Sequence, residues 1–342
     1  MGIPLSMGQG ASGQILVVRL GSLGDIIFTL PAVATLKHSF PGYQLTWAME
    51  PRWTPLVEEN PFVDNVIPVE RDSARSLART CKRLRAARYD FAVDFQGLIK
   101  SALVASLTRS KRIFGFHSAQ ARERLAALFY SDTIVSRSGH MVEKNLDLAA
   151  GVGAASALRV FPLPAGRPSG ELPPGEFVLA SPLAGWQGKQ WPLEHYRALA
   201  FLLRRELGIP LVLDGPSSAM DVLPQVPEAV THASDLLGLI YATRHAAAVV
   251  GVDSGPLHIA AALGKPGVAL YGPTDPARNG PYGNTLRVLR PSGVTTTYQR
   301  HSSNENMARL SPEEVFLTLR AAMTERGSGA AGGSWHPAGH TA

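Results

Sequence analysis

Two blocks of short apolar strands alternating with helical stretches, set apart by a proline-rich interval, constrain this chain more than any other feature. In the first block Gln14–Leu20 (QILVVRL) is a β-branched-rich strand, followed by a glycine turn and a helical stretch to about Lys37. Leu45–Met49, Val66–Val69, Phe91–Phe95 and Ile113–Phe116 are further strand candidates, with helical or turn segments between most of them. Uninterrupted apolar strands joined through helices imply a parallel sheet covered on both faces. Residues 161–177 (FPLPAGRPSGELPPGEF) hold five prolines and three glycines without an apolar period, and read as a linker. The alternation then restarts with Phe177–Ala180. A helix from Pro192 to Leu207 follows, with apolar positions at Tyr196, Leu199, Leu203 and Leu207, then strands at Leu211–Leu213, Val249–Val252 and Val268–Tyr271. Ser311-Pro-Glu-Glu314 is a helix start. The expected organisation is an α/β domain over 14–160, a linker over 161–176 and a second α/β domain over 177–326, facing each other across a cleft. The tails, 1–13 and 327–342, are expected to be disordered.

Charge narrows the class of partner. The 342 residues are 45% hydrophobic, enough for two buried domains. No apolar stretch reaches the ~18–20 uncharged residues of a membrane span. The opening MGIPLSMGQGASGQ has no apolar h-region and no cation before Arg19, so no secretory signal is expected. Cys81 is the single cysteine, which fits a reducing compartment. The net charge of +6 is regional: residues 70–126 hold 13 Lys/Arg against 5 Asp/Glu, and the rest of the chain holds 20 against 22. One anionic partner at one place is the implication. A helix from Ser73 to Arg88 would set Arg75, Arg79, Lys82 and Arg83 on one face, with Leu77, Cys81 and Leu84 toward the core. Nucleic acid, a phosphorylated substrate and an anionic membrane surface all fit such charge, but no stacking aromatics or nucleic-acid motif accompany it.

Four segments place polar chemistry at strand ends. Arg19-Leu-Gly-Ser-Leu-Gly-Asp25 follows the first strand, and its glycines allow a tight turn and close backbone approach to a ligand. It is not the G-x-G-x-x-G fingerprint of a nicotinamide enzyme. Asp25 is either a helix cap or a base facing the crevice. Ala184–Pro192 (AGWQGKQWP) carries Lys189 on a glycine-rich loop, either exposed or able to close over a diphosphate. Gly251–Gly264 (GVDSGPLHIAAALG) ends a strand and starts a helix capped by Asp253 or Ser254. The Ser254 and Gly255 amides there form an anion site, with His258 in the first turn; the alternative is a capped helix that binds nothing. Tyr271–Pro276 (YGPTDP) reads as turn chemistry. No two of the 12 aspartates are separated by a single residue, and His and Cys lack metal-ligand spacing. Neither a metal site nor a cofactor is expected.

In their order along the chain, Gly21-Ser-Leu-Gly-Asp25 with Thr29-Leu-Pro-Ala32, Asp94-Phe-Gln-Gly-Leu-Ile-Lys100-Ser, Lys189-Gln-Trp-Pro192, Gly251-Val-Asp-Ser-Gly255 with His258, and Tyr271-Gly-Pro-Thr-Asp275 form a set. The set resembles the family-9 glycosyltransferases, the ADP-heptose:lipopolysaccharide heptosyltransferases, over about residues 15–325. Ala121–Tyr130 (ARERLAALFY) is similar to the type I enzymes, which add the first heptose to Kdo of the inner core. The resemblance implies a GT-B architecture: two Rossmann-like domains, the acceptor on the N-terminal one and the donor nucleotide on the C-terminal one. It implies inverting, metal-independent transfer from ADP-heptose to Kdo–lipid A, with Asp25 as the catalytic base. Lys189, Asp253, Ser254, Gly255 and His258 are the implied donor ligands, and Lys100, Arg122 and His140 the implied acceptor ligands. A cytoplasmic protein, peripheral on the inner face of the cytoplasmic membrane and without a nucleic-acid partner, is expected. Ala184 and Gly185 stand where type I enzymes carry paired threonines, and Asp221 is the carboxylate nearest the region that holds the donor ribose. The alternatives are a family-9 transferase with another nucleotide sugar or acceptor, and a non-catalytic lipid-binding relative.

Overall fold

The computed structural model describes residues 12–221, 223, 226–298 and 303–328. Of the two tails, 1–11 and 329–342 lie outside the described residues. The first half builds a parallel sheet from β1 (Gly13–Val18), β2 (Tyr43–Met49), β3 (Asn65–Pro68), β4 (Phe91–Asp94), β5 (Arg112–Phe116) and β6 (Asp132–Ile134). Its helices are α1 (Leu23–Ser39), α2 (Ala74–Ala86), α3 (Ile99–Leu107) and α4 (Met141–Val152). The second half builds a parallel sheet from β7 (Val178–Ser181), β8 (Leu211–Gly215), β9 (Ala229–Ala233), β10 (Ala248–Val252), β11 (Gly267–Leu270) and β12 (Leu286–Leu289). Its helices are α5 (Leu193–Leu207), α6 (Leu236–His245), α7 (Gly255–Ala262), α8 (Pro276–Asn279), α9 (Glu305–Ala308) and α10 (Pro312–Ser328).

The two sheets have one topology. Their orders are β3-β2-β1-β4-β5-β6 and β9-β8-β7-β10-β11-β12. Chain direction across each sheet reverses between β1 and β4, and between β7 and β10. Crevices outside the carboxyl ends of such pairs are where open α/β sheets bind ligands. Val18 pairs with Asp94 and Gly251 with Ser181, so the loops that follow leave each sheet side by side. Four of the five predicted motif groups, those at Arg19, Asp94, the 184–192 loop and Asp253, therefore start from these two places, and the fifth, at Tyr271, follows β11.

Helix α1 is apolar on every side, with Ile26 through Leu36 buried. A helix hydrophobic all round needs cover all round, and α1 receives it from its own sheet, from α4 and from α7 of the other half. One hydrophobic cluster consequently runs from Val17 and Phe91 through Phe28 to Leu257, Ile259, Leu179 and Ala269. The proline-rich interval is fastened to both halves: Asn60 Nδ2 donates to Pro162 O, and Arg244 Nη2 donates to Leu163 O and Pro164 O.

Helix α2 corrects one expectation. Its buried residues are Ser76, Thr80 and Leu84, while Leu77 is 47% exposed. Thr80 Oγ1 donates to Glu70 O and accepts from Glu70 N, both at 3.1 Å, and this polar clamp onto the end of β3 turns Leu77 outward. Arg79 and Arg83 pair with Glu70 at 2.8 and 3.8 Å, so part of the basic face is neutralised internally.

Candidate active site

On the first-half side, the turn after β1 carries Arg19 and Asp25. Arg19 is 1% exposed, donates from Nη1 to Phe95 O, and sets Nη2 2.6 Å from Asp25 Oδ1. Arg122 Nη1 donates to Asp25 Oδ2 at 3.1 Å, and the Ser22 amide donates to the same oxygen at 3.3 Å. Asp25 thus caps α1 and also faces the crevice. Burial pushes its carboxyl up, but Arg19, Arg122 and the Ser22 amide together outweigh burial and hold it below the usual carboxylate range. Next to it, the buried Asp94 carboxylate accepts from the Gln96 and Gly97 amides, from Ser101 Oγ and from Tyr130 Oη. Gly97 sits at φ +67°, where a Cβ would stand 3.2 Å from Arg122 N. The turn around Asp94 thereby presses the Arg122 segment against the lead-in to α3, which carries Lys100.

On the second-half side, Lys189 Nζ lies 2.6 Å from Asp253 Oδ2 and 4.4 Å from the centre of the Trp186 ring. Thr274 Oγ1 donates to the same Asp253 oxygen at 2.6 Å. Burial pushes Asp253 up, yet His258 and Lys189 outweigh it and hold the carboxyl far below its ordinary range. Ser254 is the N-cap residue of α7, but its hydroxyl makes no capping bond. Ser254 Oγ and His258 Nδ1 are both buried without a partner among the described residues. Buried polar atoms are nearly always satisfied, so two such atoms beside the free amides of a helix start form a receptive site for an anion.

The two sides share one cavity of about 600 Å³, within the range of small-molecule sites. Asp25, Lys100 and Arg122 line it from the first half; Lys189, Asp253, Ser254, Gly255 and His258 line it from the second. An adjoining cavity of about 440 Å³ shares Asp25 and Arg122 and adds Gln120, Lys144 and Arg278. His140 lines neither. Its Nδ1 accepts from Val142 N at the start of α4, so Nε2 carries the proton and donates to Gly280 O at 3.0 Å. The ring lies between Phe28 and Tyr282, and burial holds its pKa below the ordinary value. Asp221 is exposed and lines neither cavity.

The family model for glycosyltransferase family 9 (heptosyltransferase) matches residues 77–308. Lipopolysaccharide heptosyltransferase 1 of Escherichia coli is 30% identical, over 90% of this chain and 99% of its own length. That of Pseudomonas aeruginosa is 31% identical, over 90% and 97%. The chain belongs to glycosyltransferase family 9. The solved structure of E. coli heptosyltransferase WaaC with ADP superposes with a TM-score of 0.74 at 27% identity, covering 90% of this chain and 99% of that one. This family-9 enzyme has the GT-B architecture.

Several of its cavity residues escaped the sequence reading. Arg19 had a visible signal, a lone charge closing an apolar strand. Thr274 lies in the YGPTDP segment read as turn chemistry: Asp275 does cap α8 through the Ala277 amide, but Thr274 reaches Asp253. Gln96 and Trp186 line the cavities from loop positions, and Asn279 from the last residue of the four-residue α8, none of which periodicity marks.

Proposed function

We propose that this enzyme transfers heptose from ADP-heptose to the Kdo–lipid A inner core of lipopolysaccharide, with inversion and without a metal ion. The observation that carries the reading is the shared cavity, in which a carboxylate held by two arginines faces a lysine and the start of α7. The heptosyltransferase 1 relatives support the choice of sugar, and WaaC with ADP supports an adenine nucleotide as leaving group.

In this reading Asp25 accepts the proton of the acceptor hydroxyl as its oxygen bonds the anomeric carbon. The bond from that carbon to the ADP oxygen breaks, and ADP leaves with the electron pair. Lys189 and the Ser254 and Gly255 amides offset the charge that grows on the diphosphate. Asp253 holds Lys189 in place, and Asp253 and His258 orient the donor. Lys100 and Arg122 receive the acceptor's carboxylate and phosphate groups. His140 was expected among the acceptor ligands; its contact with Gly280 suits it better to joining the two halves. With Arg19 and Arg122 beside it, Asp25 stays ionised at neutral pH and is available to accept that proton.

Mass spectrometry of Kdo–lipid A after incubation with ADP-heptose tests the proposal. The expected product gains one heptose with equimolar ADP release. Transfer from a different nucleotide sugar, with none from ADP-heptose, would overturn the donor assignment.

A further inference from the structure

The turn that supplies Arg122 to the cavity continues into a one-sided apolar surface. Residues Arg124–Phe129 form a 3-10 turn packed against α3. Ala126 is buried on that side with Ala102 and Tyr130. Leu125 is 59% exposed and Leu128 80%. At three residues per turn, positions i and i+3 eclipse, so the two leucines stand on the same edge. On α3 the exposed positions include Lys100 and Leu103, again three apart, and Leu103 is 46% exposed.

This arrangement is held firmly. Glu123 Oε2 accepts from Ile99 N at 2.6 Å, fixing the start of the turn to the start of α3. At its other end Tyr130 Oη donates to Asp94 at 2.7 Å. The leucines are therefore displayed from a braced element. The same two elements and their flanks carry positive charge: Lys100, Arg109, Arg122 and Arg124 are exposed. Within the wider basic region, Lys111 pairs with Asp90, Arg112 with Asp132, and Arg79 with Glu70. No ion pair is formed by Lys100, Arg109 or Arg124 among the described residues.

The geometry points to the α3 face and the 124–129 turn as a docking surface for an anionic phospholipid bilayer. Leu125 and Leu128 enter the acyl boundary, while Arg109 and Arg124 lie among headgroup phosphates. Apolar side chains accompanied by cations are what an anionic interface selects over water or a neutral partner. Continuity with the cavity favours the same occupant, because Leu98, Lys100 and Arg122 wall the cavity and the leucines begin directly beyond them. An acceptor anchored in a bilayer could then present its head to Asp25 without leaving the membrane. This inference rests on the proposed lipid-linked acceptor for its purpose, but not for its test.

The test is co-sedimentation of the full chain with vesicles of phosphatidylcholine alone and of phosphatidylcholine mixed with phosphatidylglycerol, with no sugar substrate present. Wild type is expected to partition onto the anionic vesicles only. The Leu125→Gln/Leu128→Gln variant should lose at least about tenfold in partitioning with an unchanged melting temperature. Phe201→Gln, which removes an exposed apolar ring from the second half, should bind as wild type does. A tryptophan placed at Leu128 should blue-shift on the anionic vesicles. Wild-type partitioning by the double glutamine variant would overturn the proposal. So would sedimentation-velocity data showing a dimer that the same variant abolishes, since the leucines would then cover a second copy. Loss of vesicle binding alongside normal transfer to a deacylated, water-soluble acceptor locates the fault in the surface. The reverse result locates it in the assigned reaction.

Discussion

Alanine at position 255 would place its Cβ 2.5 Å from Leu23 Cδ2, 2.6 Å from Cγ and 2.8 Å from Cβ. Rotation of Leu23 cannot relieve a contact that includes its own Cβ, so α1 and α7 must part until 2.8 Å becomes at least the 3.4 Å of ordinary contact. That is a widening of the seam between halves by more than half an ångström, at the point where Asp25 and the start of α7 face each other. Overpacking of this kind costs ~1–3 kcal/mol, and the helix preference of alanine over glycine returns up to ~1 kcal/mol. The melting temperature should therefore move little. Activity should move far more, because a displacement approaching 1 Å costs up to ~10²-fold in rate. We expect Gly255→Ala to lower kcat/KM for heptosyl transfer by about 10- to 100-fold, measured as ADP release. Leu23→Gly/Gly255→Ala removes the obstructing Cβ together with the rest of the side chain and keeps the 255 amide, so it should recover most of the loss. A Gly255→Ala enzyme within about twofold of wild type would show that the seam does not set the catalytic geometry.

Other outcomes follow from the same contacts. Asp25→Asn should lower the melting temperature, since it leaves the buried Arg19 without its carboxylate, and the folded enzyme should lose ~10²–10⁴-fold in kcat; near-normal turnover removes Asp25 as the base. Lys189→Ala should slow transfer at least about tenfold and lower the melting temperature, since it leaves the buried Asp253 carboxylate without its cation. Adding Asp253→Asn should restore stability but not turnover, and recovery of both would remove the pair from the mechanism. His232 donates to Asp214 at 2.8 Å and contacts Ser169 O, and these acceptors, Asp214 first, raise its pKa above the ordinary value. Its stabilisation should be complete below about pH 6.5 and decline as pH rises through the raised pKa. Urea midpoints of wild type and His232→Gln should converge with rising pH, and a constant gap would contradict that. Added salt should weaken acceptor binding more than donor binding, because unpaired cations crowd the first half; equal sensitivity in calorimetric titrations would argue against that division.

The central strands could be read directly because β1, β4, β7, β10 and β11 are buried on both faces and spell continuous apolar runs. Of the edge strands, β3 was legible at Val66–Val69 and the other three were not. β6 is DTI, β9 is AVTHA and β12 is LRVL, each half-exposed, and none carries a run long enough to separate it from a loop. Site residues that follow a central strand were legible through their glycines and helix starts. Pairings across the fold were not: nothing local in the sequence joins Arg122 to Asp25 or Thr274 to Asp253. The orientation of α2 was misjudged for a related reason, since a threonine clamp to a distant backbone outweighed the leucine spacing.

The repeated strand order has a consequence for how such an enzyme can change. Each sheet presents its own pair of ligand-facing turns, so under the proposed division of acceptor and donor the preferences for the anion that receives the sugar and for the nucleotide that delivers it belong to separate stretches of chain. Either stretch can be altered, or exchanged for its counterpart from a relative, without redrawing the other. The seam is exempt from that freedom. Leu23 and Gly24 fit only against the Gly255 and His258 they now meet, so a graft that ignores them joins two sound modules into an enzyme whose halves are out of register.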